Sequence, residues 1–364
     1  MLKIHIRPHW EISFQAGAPL DTAALLGLLL AIHETGSIAQ AARSVGLSYR
    51  YAWGLLRAAE GMFGQDLLQT GRGRGTVLTA LADKLVWADR RIAARLAPTL
   101  ESLATELATE LATELDSFAT EPMQSIRMDA SHGFAVAALA AQMHALNMPL
   151  ALRYRSATEA VAALARGECD VAGFHVPLGR HEAQAVAWYR RHLDPGEHCL
   201  VQIATREQGL FVAPGNPLAL RTLADVARPA VRFVNRQAGS GTRMLLEMLL
   251  EEDGIAPEAV NGFNNTEFTH SAVAAYIASG MADVGLGVRT AAARFGLDFI
   301  PLLRERYFLA LRSDAVETPL MQQLLGILRQ PGYHRTVAGL AGYDARDTGK
   351  LAGFAATFGN QSLP

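Results

Sequence analysis

A loop rich in glycine and serine lies between two arginines in the second half of this chain. The run from Phe233 to Arg243 reads as a strand, a Gly/Ser loop and the start of a helix. Glycines let backbone N–H groups approach a ligand, and a helix N-terminus attracts negative charge. A simple turn with a helix cap is the alternative, but it accounts only for the glycines. We therefore predict a small-anion site formed by Asn235, Arg236, Ser240, Gly241, Thr242 and Arg243.

Hydroxyl and imidazole groups also follow other predicted strands in this half of the chain. Ligands of open α/β sheets bind at the carboxyl ends of the strands, so these groups are expected to converge with the loop on one cleft. No carboxylate-rich cluster accompanies them, which favours an anion over a hard metal ion, and we predict no metal site. Any one of the histidines alone is more often structural. The additional candidates are Ser131, Ser156, Thr158, His175, Thr269 and His270.

Enzymatic chemistry is poorly supported by the same residues. Ser240 and His270 could imitate a nucleophile and its base, but no G-x-S-x-G elbow surrounds the serine. Cys169 and Cys199 lie in apolar sequence and are expected to pack rather than react. We therefore predict a binding protein with no catalytic residues.

A second constellation, near the start of the chain, indicates DNA binding. Ser37 is a candidate N-cap for a short helix to Val45, Gly46 is a stop, and Ser48 caps a third helix from Tyr49 to Phe63. A recognition helix presents its first residues to base edges, and arginines further along contact phosphates. Trp53 is expected to anchor this helix in the core; a base contact is the alternative. The candidate DNA contacts are Ser37, Gln40, Ser48, Tyr49, Arg50, Arg57, Arg72 and Arg74.

The last two of those arginines lie in a Gly/Arg tip, residues 71–75, between two short strand-like runs. This predicts a hairpin, the wing of a winged helix. From Ala80 to about Phe118 there is no glycine and one proline, which predicts one long helix or two. Within it Leu-Ala-Thr-Glu occurs three times between Leu103 and Glu114; a dimerisation helix and a simple spacer both remain open.

The elements that position both constellations define three regions. Residues 1–80, with a strand or hairpin over 2–14 and a helix over 21–34, form an all-α/winged-helix head. Residues 81–121 form a linker helix. Residues 122–364 alternate strands and helices and are expected to form an α/β domain of two lobes with parallel sheets, one lobe of about 125–205 and 304–364, the other of about 209–299.

The composition agrees with such a chain. Half of the 364 residues are hydrophobic and 19% are charged, which excludes a wholly disordered protein. The net charge of −2 conceals +4 over residues 1–100 and −6 over the remainder, as expected if only the first part meets a polyanion. No apolar run approaches the length of a membrane span and no secretion signal is visible, so we expect a soluble, cytoplasmic protein.

The head resembles the winged-helix domain of the ModE family of molybdenum-responsive regulators. The resemblance rests on Glu34–Ala42, on Gly46–Trp53 and on the Gly-rich wing that ends at Thr79; LysR-type domains share the general plan. It implies a DNA-binding dimer whose long helix pairs the protomers. ModE proteins continue into small β-barrel molybdate-binding domains, whereas this chain continues into a region of alternating strands and helices.

Residues 126–345 resemble the type-2 periplasmic-binding-protein-like domain that is attached to ModE-type helix-turn-helix domains and to molybdopterin-biosynthesis proteins. The resemblance rests on Ala172–His175, Asn235–Arg243, Thr269–Ala274, Ala282–Gly287 and Glu305–Tyr307. It implies two lobes that close on a ligand about hinges near Thr205–Gly209 and Phe299–Arg304. It also implies an effector such as molybdate, tungstate or formate.

These observations predict a homo-oligomeric, dimeric or tetrameric, transcriptional regulator. Its winged helix binds double-stranded operator DNA, and its two-lobed domain senses a small anion without a bound cofactor or a membrane partner. The alternative is a protein that binds an anion or the molybdenum cofactor and uses its helix-turn-helix for protein contacts.

Overall fold

A computed structural model describes residues 4–13, 20–71, 75–115 and 125–359. The chain divides into two units, Arg7–Leu96 and Met1–Ile6 with Ala97–Pro364. The elements of the first unit are α1 (Thr22–Thr35), α2 (Ile38–Ser44), α3 (Tyr49–Phe63), β1 (Leu68–Gly71), β2 (Gly75–Leu78) and the start of α4 (Ala80–Leu115).

Hydroxyl and carboxylate caps begin the first three helices. Asp21 accepts a hydrogen bond from the backbone N–H of Ala24, Ser37 from that of Gln40 and Ser48 from that of Tyr51. Their apolar faces enclose a core in which Leu25, Leu28, Ile32 and Ala52 are buried. The antiparallel strands β1 and β2 form the wing, so the winged helix-turn-helix head predicted from the sequence is confirmed.

Two local predictions for this unit fare differently. Helix α4 is a single helix, 36 residues long, with Pro98 inside it. The strand or hairpin predicted at the start of the chain is wrong over residues 4–13, which form neither; Phe14, its last apolar residue, lies outside the described residues. The loose alternation of apolar residues there has no partner strand in the described part of the head.

The second unit contains a mixed sheet with strand order β4-β3-β5-β10-β6-β9-β7-β8. Its strands are β3 (Ile126–Ala130), β4 (Leu150–Tyr154), β5 (Val171–Pro177), β6 (His198–Val212), β7 (Phe233–Arg236), β8 (Thr266–Glu267), β9 (Val284–Val288), β10 (Asp298–Arg312), β11 (Tyr343–Asp344) and β12 (Leu351–Gly353). Its helices are the end of α4, α5 (Phe134–Ala145), α6 (Ala157–Ala165), α7 (Glu182–Tyr189), α8 (Gly241–Glu252), α9 (His270–Ala278), α10 (Arg289–Arg294), α11 (Pro319–Arg329), α12 (Pro331–Ala338) and α13 (Phe354–Phe358). Short 3-10 turns occupy Leu223–Ala227, Pro257–Ala259 and Ser313–Ala315.

The sheet explains the two lobes. Strands β3, β4 and β5 are parallel in one lobe, and β7, β8 and β9 are parallel in the other. Strands β6 and β10, each 15 residues long, pair antiparallel with one another and cross between the lobes. The expectation of purely parallel sheets is therefore wrong, because the crossing strands run against their neighbours β5 and β9.

Candidate anion-binding site and nucleic-acid interface

Polar side chains from both lobes are buried next to the crossing strands. Ser131 and His175 follow or end strands of the first lobe, and Arg236 and His270 belong to the second. Ser131 Oγ, His175 Nδ1, Arg236 Nε and His270 Nδ1 have no hydrogen-bond partner among the described residues. Leaving buried polar atoms unpaired is costly, and native proteins satisfy most of them. These atoms are therefore suited to a ligand that completes their hydrogen bonds.

The crossing strands contribute a second set of buried groups that sequence reasoning missed. Arg206 Nε donates to Glu305 Oε1 at 2.6 Å, and Gln208 Nε2 donates to the same oxygen at 2.9 Å. The ring of Tyr307 packs against His175, with 4.1 Å between their centroids. Arg206 Nη2, Gln208 Oε1 and Tyr307 OH also lack partners in the described part of the chain. The sequence signal for them is slight: the polar residues of each strand lie two apart and so point to one face, but other polar residues flank both pairs.

The buried charges of this cluster influence one another. Burial, and after it the charge of Arg206, lower the pKa of Arg236 to about 9. Burial opposes the charge of Arg206 as well, but Glu305 raises its pKa. Burial also lowers the pKa of His175 to about 3 and that of His270 well below its ordinary value, so both rings are neutral near pH 7. The guanidinium groups of Arg206 and Arg236 thus lie near the carboxylate of Glu305, and such groups can bind an anion. The buried Glu267 lies opposite Arg236 in the β7–β8 pairing.

Several predicted site residues use their side chains to shape the site instead. The Ser240 hydroxyl accepts the backbone N–H of Arg243 at 3.2 Å and donates to the Gln237 carbonyl. Thr269 accepts the backbone N–H of Ala272, and Ser156 forms a capping box with Glu159. These hydroxyls therefore begin helices α8, α9 and α6.

Asn235 and Arg243 are held away from the cluster. Arg243 Nε donates to Glu247 at 2.6 Å, Nη1 donates to the carbonyl of Phe263, and the guanidinium carbon lies 3.7 Å from the centre of the Phe263 ring. Asn235 donates to the same carbonyl at 3.0 Å. The structure therefore does not place these two predicted ligands in the cluster, because both side chains fix the segment around Phe263.

The remaining predicted residues lie where the lobes meet. Thr158 Oγ1 donates to the carbonyl of Gly239 at 3.4 Å, and Thr242 Oγ1 accepts from Gln208 at 3.1 Å. Gly239 has φ +77°, and a Cβ there would lie 3.2 Å from Thr158 Oγ1. A Cβ on Gly241 would lie 3.6 Å from His175. Glycine thus allows the loop of one lobe to approach the other closely.

The mouth of the cleft is lined by both lobes and by the end of helix α4. A cavity of about 540 Å³ lies among Tyr154, Arg155, Glu159, Gln237, Ala238 and Phe268. A second cavity of about 240 Å³ adjoins Tyr154 and Phe268 and is also lined by α4. Glu101 Oε2 of α4 lies 3.7 Å from His132 Nε2. Ser102 Oγ accepts a hydrogen bond from the backbone N–H of Tyr154 at 3.2 Å. The linker helix therefore contacts residues next to the candidate anion site.

Five of the DNA candidates are exposed on the head. Ser48, Tyr49 and Arg50 are exposed at the start of α3, Arg57 is exposed two turns on, and Gln40 is exposed on α2. The hydroxyls of Ser37 and Ser48 cap their helices. Arg72 and Arg74 lie outside the described residues. Trp53 is 39% exposed, so its predicted role as a core anchor is wrong; Ala52, Leu55, Leu56 and Ala59 form the buried face of α3.

Comparison with known proteins gives two family matches. A PBP superfamily domain matches residues 130–329, and a bacterial regulatory helix-turn-helix domain of the lysR family matches residues 24–83.

Individual proteins are similar over parts of the chain. The uncharacterized protein YvgK of Bacillus subtilis is 30% identical over 199 residues, 55% of this chain; the chain thus spans 64% of that relative's length. The molybdenum-pterin-binding protein MopB of Rhodobacter capsulatus is 39% identical over 84 residues, 22% of this chain and 31% of MopB. A mutant of Corynebacterium glutamicum OxyR is 16% identical, with a TM-score of 0.43 over 87% of this chain and 94% of its own.

Two kinds of feature are absent from the described residues. No helix there is both long and apolar enough to cross a bilayer. No group of three or more His, Cys, Asp or Glu side chains in that part of the chain could hold a metal ion.

Proposed function

Because this chain belongs to the PBP superfamily and carries a regulatory helix-turn-helix domain of the lysR family, we propose that it is a ligand-responsive transcription regulator. The head binds duplex DNA, and the two-lobed domain binds a small anion. The observation that carries the anion assignment is the buried Arg236, whose Nε is unpartnered in the described structure. Its guanidinium lies near that of Arg206, which already pairs with Glu305.

The effector is an oxyanion of the molybdate or tungstate type, or formate. Guanidinium, imidazole, amide and hydroxyl groups suit oxygen atoms that carry negative charge. The resemblance of the head to molybdenum-responsive regulators and the similarity to MopB support a molybdenum-related ligand. The regulator would then act in the cytoplasm on genes for molybdenum or for molybdoenzymes.

A panel of anions tests this part of the proposal. We expect molybdate, tungstate or formate to raise the unfolding temperature of the full chain, because a ligand that binds only the folded state stabilises it. Arg236→Met should abolish the rise, whereas Arg243→Met should retain it, since Arg243 is engaged with Glu247 and Phe263. A rise of equal size in wild type and Arg236→Met, or no rise with any anion, would contradict the assignment.

DNA binding is tested through its salt dependence. Neutralised phosphates release counterions, so we expect affinity for duplex DNA to fall by roughly tenfold or more between 50 and 200 mM salt. The double variant Arg50→Ala, Arg72→Ala should lose most of this affinity. Arg166→Ala, an exposed arginine paired with Glu168 in the other unit, is the matched control. Salt-independent or absent DNA binding would favour a head that contacts protein.

The linker helix is the route by which the anion would affect DNA binding. Glu101 and Ser102 contact His132 and Tyr154, and His132 immediately follows Ser131 of the anion site. The anion changes the affinity for DNA only if it binds more tightly to one arrangement of these contacts than to another. Glu101→Gln should therefore weaken the effect of the anion on DNA affinity, while Glu110→Gln, an exposed residue on the same helix, should leave it unchanged.

The same helix supplies the surface for oligomer formation. Leu103, Leu107 and Leu111 are exposed on α4 at a spacing of four. A second copy of the chain would cover this apolar row, as in paired helices. Sedimentation of Leu107→Glu should show smaller particles than the wild type, and an unchanged mass would exclude this pairing. Whether the assembly is a dimer or a tetramer follows from the same measurement.

A further inference from the structure

Helix α3 exposes two stacked aromatic rings on the side opposite its core. Tyr49 is 56% exposed and Trp53 is 39% exposed. Their rings are nearly parallel, with 8° between the planes and 6.5 Å between the centroids. The residues are four apart, so they form one row on the helix surface. Within the described part of the head, this row is an apolar surface left open to solvent.

The charges around the aromatic row identify the kind of partner. The guanidinium carbon of Arg57 lies 5.0 Å from the centre of the Trp53 ring and continues the row by another turn. Arg50 is exposed beside Tyr49. Residues 1–100 carry a charge of +4. The aromatic row is thus an apolar face bordered by arginines on a basic domain. It complements a partner surface whose edges carry negative charge and whose centre contains apolar groups.

The neighbouring tyrosine differs from this pair. The Tyr51 hydroxyl donates to Asp21 at 3.0 Å, so that side chain is tied to the N-terminus of α1. Tyr49 is the first residue of α3, after the cap Ser48, and Trp53 is one turn further on. The first turns of a recognition helix are those that reach base edges in the major groove.

Thymine is the base that offers an apolar group in that groove, its C5-methyl. We propose that Tyr49 and Trp53 are specificity-determining residues that contact thymine methyl groups in the major groove. Arg57 then holds a phosphate at the edge of the same groove, and its stacking on Trp53 fixes the ring. This inference rests on the proposed DNA binding and specifies what the head reads.

The test begins with duplexes selected from a random pool by the full-length wild-type chain. Each thymidine of a selected duplex is then replaced by deoxyuridine, which lacks only the methyl group. We expect one or two replacements to weaken wild-type binding by about fourfold each, the effect of losing one buried methyl-sized group. Trp53→Ala should bind more weakly and should no longer distinguish the two bases at those positions.

Control variants separate the alternatives. Tyr51→Phe, on the same helix, should keep the discrimination, and Trp53→Phe should keep part of it. Trp53→Gln serves as a second variant should Trp53→Ala unfold, as judged by circular dichroism. Salt-dependent DNA binding without any thymine–uracil discrimination, or with discrimination that survives in Trp53→Ala, would overturn this inference and leave the proposed function standing. If Trp53→Ala formed a smaller assembly than the wild type but bound DNA equally well, the inference would also be overturned, because the aromatic row would then contact another protein chain. Absence of DNA binding altogether would overturn both.

Discussion

Replacing Arg236 with methionine should stabilise the anion-free protein. Methionine has a similar length and no charge, so it removes the buried guanidinium while filling most of its volume. The pKa of Arg236 falls to about 9 because the site disfavours its charge. Compared with an ordinary arginine, this corresponds to about 5 kcal/mol of unfavourable free energy at neutral pH.

Part of that gain is offset by a lost hydrogen bond. Arg236 Nη2 donates to the carbonyl of Phe268 at 2.9 Å, and leaving that carbonyl unpaired costs about 1–2 kcal/mol. The net expectation is a gain of roughly 3 kcal/mol. For a domain of this size, that corresponds to an unfolding temperature higher by about 6–12 °C.

The assay is thermal unfolding of the full chain in a buffer free of oxyanions, with and without each anion of the panel. The matched control is Arg232→Met, because Arg232 is exposed and pairs with Asp283 at 2.7 Å. That control should change stability by less than about 1 kcal/mol. An Arg236→Met variant that is less stable than the wild type without anion would refute the reasoning, since the guanidinium would then stabilise the folded protein without a ligand.

Three further predictions concern the same domain. Because burial lowers the pKa of His175 to about 3 and that of His270 well below its ordinary value, the unfolded state binds more protons below pH 6.5, and each ring should lower stability by about 1 kcal/mol from pH 7 to 5.5. In urea titrations His175→Gln should remove about half of the loss, and exposed His192→Gln should remove none. Gly239→Ala should weaken anion binding measured by calorimetry, as it strains a positive φ and crowds Thr158; unchanged affinity would exclude close lobe contact in the bound state. Glu101→Lys should weaken the effect of the anion on DNA affinity more than Glu101→Gln, because it replaces the carboxylate beside His132 with a longer side chain of opposite charge, and an equal effect in both variants would rule out a role for charge.

Local signals predicted the head well. The caps Ser37 and Ser48 and the stop Gly46 mark helix ends through short-range hydrogen bonds and backbone geometry, which the sequence shows directly. Trp53 was misplaced although the spacing of Ala52, Leu55 and Leu56 excludes it from the buried face. At this position helix periodicity decides which residues are buried, and the general preference of tryptophan for cores does not.

The anion site was predictable only in part. Arg236, His175 and His270 were found because each follows or ends a predicted element. A serine at a helix start serves equally as a cap or as a ligand donor, so Ser240 and Ser156 could not be assigned from sequence. Arg206 and Glu305 were missed because their pairing joins strands 99 residues apart, and such non-local registers leave little trace in one sequence.

The pairing of β10 between β5 and β6 also constrains how the chain can be made. Strand β5 ends at residue 177, but the strand that covers its edge is complete only at residue 312. In a nascent chain β5, whose residues are all buried in the folded protein, can pair with β3 on one side, but its other edge stays uncovered while more than a hundred further residues are synthesised. Exposed apolar strands of this kind aggregate, so the first lobe depends on slow, long-range closure during synthesis. Fragments that stop before β10 should accumulate as insoluble protein. The two lobes should therefore fold only when they are expressed together in one chain.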